Sequence, residues 1–484
     1  MLTVYDTFSR EKKPFRPARD GRVGVYVCGM TVQGPPHVGH MVAFVAGDVV
    51  RRYLRYLGYD VTYVQNFTDI DDKIIEKAAE LGVTAREVAE TNIQAYFRHA
   101  RYLGVLDADH YPRVTNHIED IVAYIENLVE KGFAYEAGGD VYFRVRRFPD
   151  YGMLSGRNVD DLVSGARVEI GESKEDPLDF ALWKKAKPEE PGWDSPWGRG
   201  RPGWHIECSV MSMKYLGETL DMHGGGRDLI FPHHENEIAQ SEALSGKRFV
   251  NFWIHNGLLN LGGEKMSKST GHFFSMEDVS AEFSGEVIRF YLLSSHFRSQ
   301  AEFSRERLLE ASASFRRLEN LVVEVDARLR ATEGRAARVV SEEGERIREL
   351  CGGVRERFLE AMNDDFNTGR ALGHLFDLVR EVNRAFQEGG GTFARDREAL
   401  ERVRDTVAEL DRAVGIFAHG LPGAERREES IPEEVLSWAE ERAEARRTKD
   451  WSRADRLREK IKEAGYTVED TPDGYRLHAD SGSP

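Results

Sequence analysis

Apolar residues change their spacing several times along the chain, and each change marks an element. Val23 to Val27 is a short β-branched run that ends at Cys28-Gly29. A polar, Pro-containing stretch follows, Thr31 to Pro36. A helical pattern then runs from about Gly39 to Leu57 and stops at Gly58, and Val61 to Val64 reads as the next strand. Strand, loop, helix and strand in this order open a parallel α/β sheet. Asp72 to Leu81 reads as a helix stopped by Gly82. Thr84-Ala85-Arg86-Glu87 has capping-box spacing for another.

From about Arg113 to Arg201 the character changes. One helix, Asn116 to Lys131, precedes short strand-like pieces and Pro- and Gly-rich loops. This reads as an insertion between two halves of the sheet. The α/β character returns around Trp204 and continues to about Ser275. Beyond Ser304 the chain is helical and charge-rich to about His419, and Gly420 to Pro432 is a polar linker. In the last segment a helix starts at Ser452-Arg453-Ala454-Asp455, with Ala454, Leu457, Ile461 and Ala464 on one face. Gly465 stops it, and the strand Tyr466 to Glu469, a Pro472-Asp473-Gly474 turn and a second short strand follow.

Composition narrows the class. Hydrophobic residues make up 40% of the 484 positions and charged residues 31%, which suits several folded cores. The net charge of -16 excludes indiscriminate nucleic-acid binding, though not a local basic patch. No apolar run approaches a membrane span, and Met1 to Arg10 lacks a signal pattern. The expectation is a soluble cytoplasmic protein, and a monomer because no coiled-coil repeat is present. Three cysteines, Cys28, Cys208 and Cys351, cannot all pair. In a cytosolic chain such thiols are buried, catalytic or metal-bound more often than bridged.

Two short motifs suggest phosphate chemistry. His37-Val38-Gly39-His40 sits where the first loop enters the first helix. Free N–H groups and the helix dipole favour an anion there, and Gly39 permits close approach. Taken alone, two loop histidines are a weak signal. Lys265-Met266-Ser267-Lys268-Ser269 strengthens it, with Gly262-Gly263 before and Gly271 after. Two lysines can grip a triphosphate as charge develops on leaving pyrophosphate. Together the pair resembles the two ATP motifs of class I aminoacyl-tRNA synthetases.

A second constellation suggests a metal. Cys28 ends the first strand, Cys208 lies in Trp204-His205-Ile206-Glu207-Cys208, and His233 and Glu237 are four apart. On a helix that spacing shares one face. Two thiolates, an imidazole and a carboxylate suit Zn²⁺. No C-x-x-C spacing is present, so the pattern alone favours two buried cysteines and a histidine near a helix start.

The wider sequence resembles the cysteinyl-tRNA synthetase family over essentially the whole chain. The matching stretches include Cys28-Gly29, Thr68 to Lys73, Leu178 to Lys184, Arg201 to Ser209, His223 to Glu237, Met362 to Thr368, Lys449 to Trp451 and Glu469 to Gly474. His223 to Glu237 is the most specific. Where the family carries Thr-x-Trp after the last turn glycine, this chain has Tyr475-Arg476-Leu477.

The resemblance implies a Rossmann-type parallel-sheet catalytic domain with an inserted connective domain, then a helical bundle and a small α+β C-terminal domain. Its expected boundaries are 1–112 and 202–275 for the catalytic halves and 113–201 for the insertion. A stem-contact region at 276–315, the bundle at 316–420, and the linker with the anticodon-binding unit at 421–484 follow. It places one zinc per subunit on Cys28, Cys208, His233 and Glu237. ATP, with Mg²⁺, falls to His37, Gly39, His40, Lys265, Ser267 and Lys268, of which His37, His40, Lys265 and Lys268 act on the phosphates. Gly29, Thr31, Thr68 and Trp204 look like the cysteine pocket, His223 and Asp228 like contacts to substrate or adenylate, and His234 and Glu235 like supports around the metal.

The implied reaction joins L-cysteine to ATP as cysteinyl-adenylate, releases pyrophosphate, then transfers cysteine to the 3′ end of tRNA-Cys. Serine is nearly isosteric with cysteine, and shape separates such analogues poorly. A soft thiolate prefers zinc over an alcohol oxygen, which gives the metal its purpose. Near the C-terminus, Arg446, Arg447, Lys449, Arg453, Arg456, Arg458 and Lys460 gather positive charge beside Trp451, a pattern suited to RNA. Three rival readings remain: a ligase that joins adenylated cysteine to an amino-sugar, an inactive synthetase-like RNA-binding protein, and a simple nucleotidyltransferase, which would need neither zinc ligands nor an RNA-type tail. The terminal unit disfavours the first, and the intact motifs disfavour the second.

Overall fold

The computed structural model describes residues 1–158, 174–261, 275–333, 340–388, 391–422, 433–448, 450–464, 466–471 and 474–479. The chain forms two compact units, Met1–Pro422 and Gly423–Pro484.

The first unit is built on a parallel sheet. After a short antiparallel pair, β1 (Thr3–Asp6) and β2 (Glu11–Pro14), come β3 (Arg22–Val27), α1 (Val38–Tyr56) and β4 (Asp60–Gln65). The expected strand–helix–strand opening is therefore present. Helices α2 (Asp72–Leu81), α3 (Ala85–Tyr102) and α4 (Ile118–Glu130) follow. Asp71 caps α2, and the Thr84/Glu87 capping box starts α3. Helix α4 begins later than the apolar pattern suggested because Val114–Asn116 winds as a separate 3-10 turn.

The insertion carries its own antiparallel sheet, ordered β5 (Ala134–Ala137), β6 (Asp140–Phe143), β7 (Phe180–Lys185) and β8 (Gly200–Pro202). The main sheet resumes through α5 (Trp204–Leu216), β9 (Leu220–Gly226), α6 (Glu235–Ser245) and β10 (Val250–Asn256). Its order is β10-β9-β3-β4, all parallel. Strands β3 and β9 are neighbours although distant in sequence. Their carboxyl ends diverge into opposite crossovers, the place where open α/β sheets accept ligands.

Two segments then close the α/β part. β11 (Leu259–Leu261) pairs with β12 (Ala301–Phe303). Ser275 forms a bridge with His37 just before α7 (Met276–Glu282), and Met276 N–H donates to the Pro36 carbonyl at 3.4 Å. Helices α8 (Gly285–Leu293), α9 (Arg305–Thr332), α10 (Glu342–Asn363), α11 (Thr368–Glu388) and α12 (Arg397–Val414) complete the unit. Cys351 is buried on α10 among apolar side chains.

A buried charge cluster ties α1 to these helices. Asp48 accepts from Arg51 at 2.7 Å, Arg52 at 2.7 Å and Arg289 of α8 at 2.6 Å. Asp48, Arg51 and Arg289 are fully buried. One carboxylate cannot balance three guanidiniums, and backbone carbonyls supply the remainder. Arg289 donates to Leu103 O at 3.2 Å and Val414 O at 2.7 Å, at the carboxyl ends of α3 and α12. Those are the negative ends of the helix dipoles. Gly415 turns out of α12 with φ 65°, and a Cβ there would meet the Arg52 guanidinium carbon at 2.8 Å.

The second unit packs α13 (Glu433–Arg447) and α14 (Trp451–Glu463) with the hairpin β13 (Tyr466–Thr471) and β14 (Gly474–Ala479). Asp450 caps α14 by accepting from Arg453 N–H at 3.1 Å, so the helix starts one residue earlier than expected. Ala454, Leu457 and Ile461 are buried as anticipated. Ala464 is exposed, because the helix ends at Glu463 and the apolar face ends with it. The hairpin turn at 472–473 lies outside the described residues.

Replacing Asp48 with Asn would leave three guanidiniums facing each other without their counter-charge. Loss of about 3 kcal/mol of stability is expected, since breaking a buried ion pair from one side costs about 3–5 kcal/mol. Urea unfolding of Asp48→Asn against the parent protein measures it.

Candidate active site and metal centre

Strand alternation decides which side chains meet. Val25 and Val27 of β3 face α1, with Ala43, Ala46 and Gly47 against them. Gly24 faces Leu216 of α5 on the other side of the sheet. Cys28 shares that second parity and lies over α5 and α6, where Cys208 and Glu237 are carried.

The polar groups here are buried and close. Cys28 Sγ lies 3.6 Å from Cys208 Sγ, 3.6 Å from His233 Nε2, 3.4 Å from His234 Nε2 and 3.6 Å from Glu237 Oε1. His233 Nε2 lies 3.1 Å from Glu237 Oε1, the i,i+4 contact anticipated from the sequence. Glu237 Oε2 lies 2.9 Å from His223 Nε2. All four expected metal positions are thus brought together.

A fifth donor was not anticipated as a ligand. Cys28, His233, His234 and Glu237 offer ligand atoms within 4.8 Å of one another. His234 was assigned a supporting role, yet its Nε2 faces Cys28 as closely as any other group. Its i,i+3 spacing from Glu237 carried the signal: both lie on one helix face. Its Nδ1 lies 2.7 Å from His255 Nε2, and His255 Nδ1 lies 2.9 Å from Thr7 Oγ1. His205 is a further addition, with Nδ1 at 3.0 Å from His233 Nδ1. Glu235, by contrast, points away and binds the amides of Gly152 at 2.9 Å and Ser155 at 2.8 Å.

Protonation follows from burial. Burial, opposed by His223 and His233, leaves the Glu237 pKa at about 2. Burial works against charge on His233 too, but Glu237 and Cys208 raise its pKa to about 10. The Cys28 and His233 contacts lower Cys208 to about 6, whereas burial and Cys208 hold the Cys28 thiol well above its usual range. Burial and neighbouring histidines keep His234 neutral. Two sulfurs, imidazoles and one carboxylate, buried together, are a donor set for Zn²⁺.

Of the expected substrate positions, Trp204 and His223 touch this cluster directly. Gly29 N–H donates to Asn66 Oδ1 at 2.8 Å, and any Cβ would strike the Asn66 carbonyl. Thr31 bridges Thr68. Thr68 Oγ1 donates to the buried Glu207 at 2.8 Å. Trp204 is 36% exposed and stacks on His233 with centroids 4.4 Å apart, which makes it a wall of the site rather than core filler. His223 is buried and stacks on Trp253 at 4.6 Å. Asp228 is exposed, in the turn after β9.

At the start of α1, His37 and His40 cap each other. His37 Nδ1 accepts from His40 N–H and His40 Nδ1 accepts from His37 N–H, both at 3.3 Å. Their rings stack at 3.6 Å. Burial lowers both pKa values, and with the adjacent His37 it takes His40 to about 3. Each ring is neutral with its proton on Nε2, an arrangement that donates to an anion. Gly39 leaves only 3.0 Å between its would-be Cβ and the His37 ring. Lys265, Ser267 and Lys268 lie outside the described residues.

Comparison with known proteins agrees with this geometry. Residues 14–313 match the family described as tRNA synthetases class I (C) catalytic domain. The fold is similar to *Mycobacterium tuberculosis* methionyl-tRNA synthetase in complex with methionyl-adenylate, with TM-score 0.64 at 17% identity over 85% of this chain and 96% of that one. The first unit therefore has the catalytic architecture of the class I aminoacyl-tRNA synthetases. Residues 357–418 match the DALR domain, and 430–476 the cysteinyl-tRNA ligase anticodon binding domain. A cysteine–tRNA ligase of *Heliobacterium modesticaldum* is 49% identical over 98% of this chain and 99% of its own length. One from *Geobacter metallireducens* is 48% identical over 98% of each. The chain belongs to the cysteinyl-tRNA synthetase family.

The pKa shifts set a pH signature for the metal-free protein. His233 is raised from its ordinary 6.5 to about 10, so its stabilising contribution is complete below 6.5 and lost as pH rises to 10. Glu237 is depressed from 4.5 to about 2, so its contribution is present above 4.5 and lost on acidification through 2. Zinc needs the neutral imidazole, so alkaline pH does not weaken the zinc-loaded site in this way. The gap in Tm between zinc-loaded and metal-free protein is expected to widen from pH 6.5 to 10. Thermal scans across that range, with and without chelator, check it.

Proposed function

We infer that this chain is a cysteine–tRNA ligase that activates L-cysteine with ATP and transfers it to the 3′ end of tRNA-Cys. The observation that carries the reading is the buried Cys28–Cys208–His233–Glu237 cluster at the switch point of a class I fold. Family membership supports the rest. Neither step needs a covalent enzyme intermediate, so positioning and charge stabilisation carry most of the rate.

Cys28, Cys208, His233 and Glu237 hold one zinc, with His234 near enough to exchange for one of them. When bound, zinc supplies a soft Lewis acid that takes a thiolate in preference to an alcohol, and so separates cysteine from serine. Gly29, Thr31, Thr68 and Trp204 surround the amino acid, and His223 holds Glu237 in place. Asp228, on the exposed turn after β9, contacts the nucleotide side. His37 and His40 donate from Nε2 to the phosphates of ATP, which enters with Mg²⁺. Lys265 and Lys268 neutralise the departing pyrophosphate, with Ser267 beside them.

Residues 1–112 and 202–275 form the two catalytic halves, and 113–201 the connective insertion. Residues 276–315 reach the tRNA stem, 316–420 form the bundle, and 421–484 read the anticodon. Trp451 is 55% exposed with the Arg446 guanidinium 5.6 Å from its ring, a surface suited to stacking on a base.

Charging of a tRNA-Cys transcript with labelled cysteine, with and without a zinc chelator, tests the assignment. Cysteine-dependent pyrophosphate exchange and charging, both lost with the zinc, are expected. Exchange without charging would instead favour a ligase that hands adenylated cysteine to another acceptor. His40→Ala is expected to lower kcat for exchange about a hundredfold, the scale of losing one preorganised donor to developing charge. Steady-state exchange kinetics measure this, and the KM for cysteine should stay nearly unchanged.

A further inference from the structure

One side chain of β3 is turned toward the metal-ligating cluster without having been given a role in it. Tyr26 precedes Cys28 by two residues, so both point from the same face of the sheet. It stands opposite His223 of β9 in the parallel register, with the two rings edge-on at 5.1 Å. Its side chain is completely buried. The hydroxyl lies close enough to Cys208, Cys28 and Glu237 to feel their charge, Cys208 most strongly.

Among the described residues that hydroxyl has no hydrogen-bond partner. An unpaired buried hydroxyl costs about 1–3 kcal/mol, and phenylalanine would fill the same space without that cost. A neutral thiol is a weak acceptor. A metal-bound thiolate carries negative charge and is a far better one. The group that lacks a partner therefore gains one when Cys208 is a metal-bound thiolate.

We propose that Tyr26 is a positioning residue of the metal centre, its O–H donating a hydrogen bond to the Cys208 thiolate when zinc is held. The proposal rests on the zinc reading above. Two thiolates and a carboxylate carry three negative charges against the two positive charges of the ion. A donor on one sulfur draws off part of that excess. It also weakens the sulfur's donation to the metal, which leaves the metal more acidic toward an incoming substrate sulfur. Tyr26 would thereby serve cysteine selection without touching cysteine.

The test compares the full-length protein and Tyr26→Phe, each stripped of metal and loaded with Co²⁺ or Zn²⁺. The thiolate-to-cobalt charge-transfer band should move to longer wavelength in Tyr26→Phe, because a sulfur without its hydrogen bond gives up an electron more easily. Zinc affinity from chelator competition should fall about tenfold, the lower end of the effect of removing a partner of a metal ligand. A ring-fluorinated tyrosine at position 26 keeps the shape, strengthens the donor and should move the band the opposite way. It also serves if the phenylalanine variant fails to fold. A purely structural role for Tyr26 would alter stability and leave the band in place. An unmoved band with unchanged zinc affinity overturns the proposal. A parent protein with no thiolate–cobalt band at all would instead overturn the zinc reading itself.

Discussion

Glu237 carries a negative charge with no access to water, and the arrangement of the catalytic unit around it follows from that constraint. An isolated carboxylate in such a place would take up a proton. Here it stays ionised because His223 and His233 each approach one of its oxygens. Those histidines come from β9 and from the turn before α6. The thiols beside them come from the end of β3 and from α5. Four elements must therefore keep their places at once, and the parallel sheet is what holds them in register.

The same problem recurs midway along α1. Asp48 is buried among three arginines, and the carboxyl ends of α3 and α12 complete the charge balance. Helix α1 thus begins at a cap of two neutral histidines and is pinned at mid-length by an ionic junction. Arg289 holds that junction from α8, and its bond to the Val414 carbonyl ties it to α12 of the bundle.

Much of the site was legible before the structure. The Thr84/Glu87 capping box, the stop at Gly82 and the His233–Glu237 face depend on spacing within a few residues. Helix period and backbone hydrogen bonding decide such features locally. Less was legible where one helix face had to be chosen over its neighbour. His233 and His234 are adjacent, and they approach Glu237 at i,i+4 and i,i+3 spacing respectively, so spacing alone does not choose between them. Trp204 could have been core, but its place in the first turn of α5 leaves one face open above His233. Tyr26 was only one position of a β-branched run until the β3–β9 register set it opposite His223.

By itself the sequence determined the succession of elements, the parallel α/β class and the family. These rest on short-range periodicity and on motifs whose residues lie close together in the chain. Tertiary structure alone decided that Cys28 and Cys208, 180 residues apart, lie 3.6 Å from each other. It also decided that Glu235 turns toward Gly152 and Ser155, and that Arg289 joins Asp48 from α8. Those outcomes depend on strand order and register. Both are settled by burying whole faces of the sheet against helices, a long-range balance that no local spacing records.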